Sequence, residues 1–166
     1  MSESNLPTEL VELARRVIEE NAAIGRTITL AESCTGGMVA AALTEIPGSS
    51  AVLERAFVTY SNDAKMESLG VASDIIETFG AVSIACAWAM AQGALAHSKA
   101  DVAVAVSGVA GPAGGTELKP VGTVVFARAV RGEDSLQEGD LKKFGDVGRA
   151  GIRRQAALEA LGLLLP

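Results

Sequence analysis

The run Asp101-Val102-Ala103-Val104-Ala105-Val106 is apolar at every position after the first. A strand with one wet face alternates apolar and polar residues, whereas a strand without alternation is covered on both faces, as crossover helices cover the central strands of a parallel sheet. This segment therefore points to an α/β chain in which helices flank a sheet. The side chains agree with that arrangement: 49% of residues are hydrophobic and only 4% aromatic, so the interior is expected to be built mainly from Ala, Val, Leu and Ile. A length of 166 residues suffices for one domain with its own core, and a single domain spanning residues 1–166 is expected.

The flanking elements follow from periodicity and punctuation. Leu6, Leu10, Leu13, Ala14, Val17 and Ile18 recur at helical spacing, with Pro7 in the first turn and Gly25 past the end. Thr27 to Ala31 reads as a strand, Met38 to Leu43 as a helix closed by Pro47-Gly48-Ser49-Ser50, and Ala56 to Tyr60 as a second strand. A helix between two strands implies a parallel pair. Ser61-Asn62 caps a short helix carrying Lys65, Ser73 caps another that ends at Gly80, and Ser83 caps a longer one from Ile84 to Ser98. The segment Ser107 to Pro120 is too glycine-rich for a helical crossover, so Val121 to Ala129 is expected to return antiparallel. Arg131-Gly132-Glu133-Asp134 turns into an edge strand at Leu136 to Phe144, and a helix through Ile152, Ala156, Leu161 and Leu165 closes the chain.

Three clusters follow predicted strands, and ligands in open α/β sheets bind at the carboxyl ends of the strands. The first is Ala31-Glu32-Ser33-Cys34-Thr35-Gly36-Gly37, a strand-to-helix turn whose free amides and helix dipole favour an oxyanion or a phosphate. A serine or threonine there also serves as an ordinary helix cap. The second is Thr59-Tyr60-Ser61-Asn62-Asp63-Ala64-Lys65. A desolvated lysine loses its proton near neutral pH and acts as base towards a serine, with a tyrosine relaying a proton, although most lysines are simply solvated. The third is Ser107-Gly108-Val109-Ala110-Gly111-Pro112-Ala113-Gly114-Gly115, whose glycines suggest an anion-holding nest of backbone amides.

Other chemistries find little support. His97, the only histidine, falls at a helix end, which argues against a Ser-His-Asp triad. Cys34 and Cys86 have no neighbouring Cys or His to complete a zinc set, and neither a metal nor a disulfide is expected. A net charge of −6 without any run of Lys or Arg offers no footprint for nucleic acid. The amino-terminal Met-Ser-Glu-Ser-Asn lacks an apolar h-region, and no stretch reaches the roughly 18 apolar residues of a membrane span, so a cytoplasmic protein is expected.

Taken together, Ala31-Glu32-Ser33-Cys34-Thr35-Gly36-Gly37, Tyr60-Ser61-Asn62 with Lys65, Gly80-Ala81-Val82-Ser83, Gly108-Val109-Ala110-Gly111-Pro112 and Pro120-Val121-Gly122-Thr123-Val124 resemble the CinA C-terminal domain family, the PncC-type nicotinamide-nucleotide amidases. The resemblance implies a three-layer α/β/α fold with a mixed five-stranded sheet of order 2-1-3-4-5 and an antiparallel fourth strand, which the element reading reaches independently in strand count and orientation. It implies hydrolysis of the carboxamide of nicotinamide mononucleotide, without a cofactor. Ser33 is then the nucleophile, Lys65 the base and Tyr60 their partner, with Glu32, Cys34, Thr35, Gly36, Gly37, Ser107, Gly108 and Gly111 lining the substrate site. Family members often carry Gly-Asp-Arg before the last helix; here Val147-Gly148 intervenes between Asp146 and Arg149, while Arg149 and Arg153 keep the four-residue interval. Arg149 is the expected phosphate ligand. Larger members have an added N-terminal nucleotide-handling domain that this sequence is expected to lack, and a homodimer is expected from the likeness and the apolar composition. A non-catalytic nucleotide-binding or regulatory module of the same fold, and an amidase for another nicotinamide or pyrimidine nucleotide, remain as alternatives.

Overall fold

Strand β3, Val102–Gly108, is the pivot of the molecule, because its alternating side chains meet two different layers. In the computed structural model, which describes residues 4–134 and 138–166, Val104 and Val106 join the core beneath one set of helices. Ala103 and Ala105 join the core on the opposite face. Parallel strands β1, Ile28–Glu32, and β2, Leu53–Val58, extend the sheet on one side. On the other side β4, Thr123–Val130, runs antiparallel to β3, and β5, Glu138–Lys143, antiparallel to β4. The order is β2-β1-β3-β4-β5, so β4 alone runs against the rest, as the short glycine-rich connection requires.

The valine face is covered by α1, Thr8–Ala23, α2, Met38–Thr44, and α6, Arg149–Leu163. The alanine face is covered by α5, Ile84–Ala96, with α3, Asn62–Leu69, and α4, Ser73–Phe79. Small residues on both partners let α5 lie close to the sheet: Ala87, Ala91 and Ala94 share the cluster of Ala103, Ala105, Ala127 and Ala129.

Several expected boundaries shift, among them that of β4, which begins at Thr123 rather than Val121. The second strand begins at Leu53 rather than Ala56 and ends at Val58, because an edge strand tolerates Glu54 and Arg55, which pair with each other. Thr59 keeps one further bond, its N–H donating to Glu32 O at 2.8 Å, before the chain leaves for Ser61. Ser73 is the first residue of its helix, the cap position is Ala72, and no side chain caps it. Pro7 sits at the cap position of α1, not within its first turn. Leu136, the expected start of the last strand, lies outside the described residues.

Helix α3 carries Lys65 and is seated against α5 at Gly93. A β-carbon on Gly93 would lie 2.0 Å from the carbonyl oxygen of Leu69 at the end of α3. Gly93→Ala is therefore expected to push the two helices apart and cost about 1–3 kcal/mol of stability, read by urea unfolding. An unchanged midpoint would show that the contact is not close-packed in solution.

Candidate active site

Strand β1 delivers its last residue into a turn that the sheet itself anchors. The N–H of Ser33 donates to Val106 O on β3 at 2.9 Å, and the N–H of Gly36 returns to Ser33 O at 3.0 Å. Gly36 and Gly37 take φ of 59° and 98°, a region that side chains resist, so the two glycines close the turn and start α2. Glu32 explains the rigidity of this segment. Its fully buried carboxylate accepts from the hydroxyl of Thr35 at 2.6 Å and from the N–H groups of Val39 at 3.0 Å and Ala40 at 3.1 Å. The amides at the start of α2 are thus occupied by the protein's own carboxylate, which acts on the turn and not on a ligand.

Lys65 approaches the turn from the neighbouring strand end. Ser61 caps α3 by accepting the N–H of Ala64 at 3.0 Å, which aims the first turn of the helix back into the molecule. The Lys65 side chain is 1% exposed, with Nζ 3.0 Å from Ser33 Oγ and donating to Thr59 O at 2.8 Å. No carboxylate forms an ion pair with it among the described residues. Desolvation lowers its pKa below the ordinary lysine value, with only partial opposition from the thiols of Cys86 and Cys34. Ser33 itself is 5% exposed, so its hydroxyl and the amine share a nearly buried recess. Burial pushes the adjacent Cys34 thiol up to about 11, which makes it a poor competitor for the role of nucleophile.

Tyr60 and Arg149 stand at the open side. Tyr60 is 60% exposed, and its hydroxyl accepts from Arg149 Nη2 at 2.8 Å, while Arg149 Nη1 donates to Gly111 O at 2.5 Å. Arg149 thereby joins α6, the end of β2 and the glycine-rich loop. The two intervening residues before it are absorbed in a turn between Gly145 and Gly148, both at positive φ, which leaves Arg149 as the first residue of α6. Ser107, buried at the end of β3, follows Val106, the residue whose carbonyl holds Ser33.

The loop glycines have a packing explanation. A β-carbon on Gly108 would lie 2.7 Å from Val124 Cγ2, and one on Gly111 would lie 2.6 Å from Val121 Cγ1. Both are required for the loop to fold back onto the chain that enters β4. Two residues named in the sequence reading take roles that it did not assign. Thr59 acts through its backbone carbonyl, for which residue type carries no signal. Arg153 donates from Nε to Cys34 O and from Nη2 to Thr35 O, each at 3.1 Å. Its four-residue spacing from Arg149 places both on one helix face, which was the available signal.

Residues 10–166 match the CinA C-terminal domain family. A protein of Escherichia coli (strain K12) named nicotinamide-nucleotide amidohydrolase PncC is 49% identical over 158 residues, spanning 95% of this chain and 93% of that protein. A competence-damage inducible relative of Symbiobacterium thermophilum is 52% identical over 147 residues, 84% of this chain; there the chain spans only 34% of the longer protein. Among solved structures, the competence/damage inducible protein CihA of Agrobacterium tumefaciens superposes with a TM-score of 0.93 at 49% identity, covering 98% of this chain and 97% of that one. A CinA superfamily protein of Escherichia coli superposes with a TM-score of 0.88 at 32% identity, over 99% and 93% of the two chains.

The Glu32 arrangement carries a direct test. Glu32→Gln puts an NH2 group against donors that now meet an oxygen, at an expected cost of about 1–3 kcal/mol by urea unfolding. Wild-type stability in this variant would mean that the carboxylate does not hold the turn.

Proposed function

We propose that this chain, which belongs to the CinA C-terminal domain family, is an amidohydrolase that converts nicotinamide mononucleotide to nicotinate mononucleotide and ammonia. The observation that carries the reading is the buried pair of Lys65 Nζ and Ser33 Oγ, 3.0 Å apart without a carboxylate partner for the amine among the described residues. The name of the E. coli relative, matched over nearly its whole length, supports the substrate.

In the proposed cycle the neutral amine of Lys65 takes the Ser33 proton as Oγ attacks the carboxamide carbon. The negative charge that develops on the carboxamide oxygen is met by backbone N–H groups of the nucleophile turn. The C–N bond then breaks, the Lys65 ammonium returns its proton to the departing nitrogen, and ammonia leaves an ester on Ser33. Water, deprotonated by the same amine, hydrolyses the ester and restores Ser33. Thr59 O orients the amine throughout. Tyr60 is assigned as the partner of this pair at the mouth of the site. Arg149 is assigned to the nucleotide phosphate, for which a guanidinium fork is suited. Thr35, Gly36, Gly37 and Ser107 complete the substrate wall.

The same reading assigns one domain, action in the cytoplasm and assembly as a homodimer. Among the described residues no helix is long and apolar enough to cross a membrane. Exposed Val58, Phe79, Leu118 and Val147 offer apolar surface for a second copy.

Ammonia release from nicotinamide mononucleotide, followed against pH, tests the proposal. Because the base must be uncharged, kcat/KM should rise with pH and level off above the Lys65 pKa, at a pH below the ordinary lysine value because that pKa is lowered. Ser33→Ala and Lys65→Arg should each lose at least about 10²–10⁴-fold in kcat, the arginine because it keeps its charge and cannot accept the serine proton. Substantial turnover by Lys65→Arg would remove the base assignment.

A further inference from the structure

The bond from Gly36 N–H to Ser33 O closes a four-residue turn in which Ser33 is the first residue and Cys34 and Thr35 are central. The peptide between Cys34 and Thr35 is the central peptide of that turn. In such turns this unit can rotate by roughly half a revolution, exchanging type I for type II. Neither central residue has positive φ here, so the turn is not type II, which would force the β-branched Thr35 into a left-handed conformation. The carbonyl of the central peptide belongs to Cys34, a buried residue, and its hydrogen bond comes from Arg153 Nε at 3.1 Å. Arg153 Nη2 also donates to Thr35 O, again at 3.1 Å. A β-carbon on Gly36 would lie 3.4 Å from Arg153 Nη2, so the guanidinium lies against the turn and does not merely reach towards it.

Resting on the amidase reading above, we propose that Arg153 is a positioning residue for the reaction: it grips the central peptide of the nucleophile turn from α6 and so fixes Ser33 Oγ and the Cys34 N–H for the tetrahedral intermediate. Planarity makes the argument geometric. Each C=O points opposite to the N–H of its own peptide. Ser33 O is held by Gly36 N–H, so the N–H of Cys34 points away from the interior of the turn. It donates to no carbonyl or carboxylate among the described residues. Without Arg153 the carbonyls of Cys34 and Thr35 lose this donor, and because rotating the central peptide would force Thr35 to positive φ, the turn answers by shifting as a unit. Such a shift carries Ser33 and the Cys34 N–H with it, and so changes the placement of the serine oxygen against Lys65. Arg153 thus acts on the transition state, where misplacement matters most, and leaves ground-state affinity nearly untouched.

The roles of Arg149 and Arg153 are then distinct although four residues separate them on one helix. Arg149 faces Tyr60 and the mouth of the site, whereas both carbonyl contacts of Arg153 lie on the nucleophile turn.

Arg153→Met and Arg153→Lys, each checked for folding by circular dichroism, provide the test. Four quantities are measured for both and for wild type: kcat and KM for nicotinamide mononucleotide, affinity for nicotinate mononucleotide, and affinity for the boronic acid analogue of the substrate. The analogue bonds to Ser33 Oγ as a tetrahedral anion. Arg153→Met should lose about 10²-fold in kcat, comparable to removing one oxyanion donor, with KM within about threefold of wild type. Boronate affinity should fall in parallel with kcat while product affinity stays constant. Arg153→Lys returns one donor to the turn and should recover part of the loss; should the Met variant not fold, the Lys variant carries the same comparison against wild type. A raised KM with unchanged kcat would overturn the proposal by making Arg153 a phosphate ligand. Product affinity falling as far as boronate affinity would overturn it as well. Failure of the wild type to release ammonia would overturn the amidase reading instead, whereas wild-type turnover by Arg153→Met would overturn only the role of Arg153.

Discussion

The ε-amine of Lys65 is held between the hydroxyl of Ser33 and the carbonyl of Thr59 in a nearly buried recess that offers it no carboxylate among the described residues. Burying an ammonium there is costly, so desolvation shifts the balance towards the neutral amine, the form that the proposed general base requires. Much of the fold serves to make that burial possible. Parallel β1 and β2 bring their carboxyl ends to one edge, Ser61 turns α3 inward, and Gly93 lets α5 close behind it. The alanine-lined face of the sheet allows α5 to lie close enough to complete the cover.

The second constraint is the turn that carries Ser33, which is held by charges of opposite sign. Glu32 satisfies the first amides of α2 from within, and Arg153 satisfies the turn's carbonyls from α6. Because the protein's own carboxylate fills the start of α2, a substrate phosphate is better matched elsewhere. Arg149, exposed at the mouth between Tyr60 and Gly111, is the suited group. In the proposed function the carboxamide end of the substrate falls to Ser33 and the phosphate end to the first turn of α6.

The strand count and orientation and the meeting of Ser33 with Lys65 were legible in the sequence because each had a strong local cause, whereas the strand order came with the family resemblance. The unbroken apolar run of β3 demands cover on both faces, and the short glycine-rich connection after it forces an antiparallel return. Clusters placed after parallel strands must open on one side. What was not legible depended on contacts without a residue-type signature. Glu32 stands in the motif, but only the structure shows its carboxylate turned onto α2. Gly108 and Gly111 look like ligand-facing glycines, yet Val124 and Val121 occupy the space their side chains would need. The shifted start of β2 reflects edge position, which allows charged residues that a pattern reading assigns to a loop.

The central claim is that Lys65 is an uncharged amine at working pH, and the most direct measurement is the titration of that single amine in the folded protein. Selective ¹⁵N labelling of lysine, with the Lys65 signal assigned by its loss in Lys65→Arg, allows the protonation state to be followed by nuclear magnetic resonance. The account predicts a titration displaced below the ordinary lysine value of 10.5 by desolvation. A Lys65 amine that titrates at or above the ordinary value would contradict it, because the group beside Ser33 would then be an ammonium without a free lone pair.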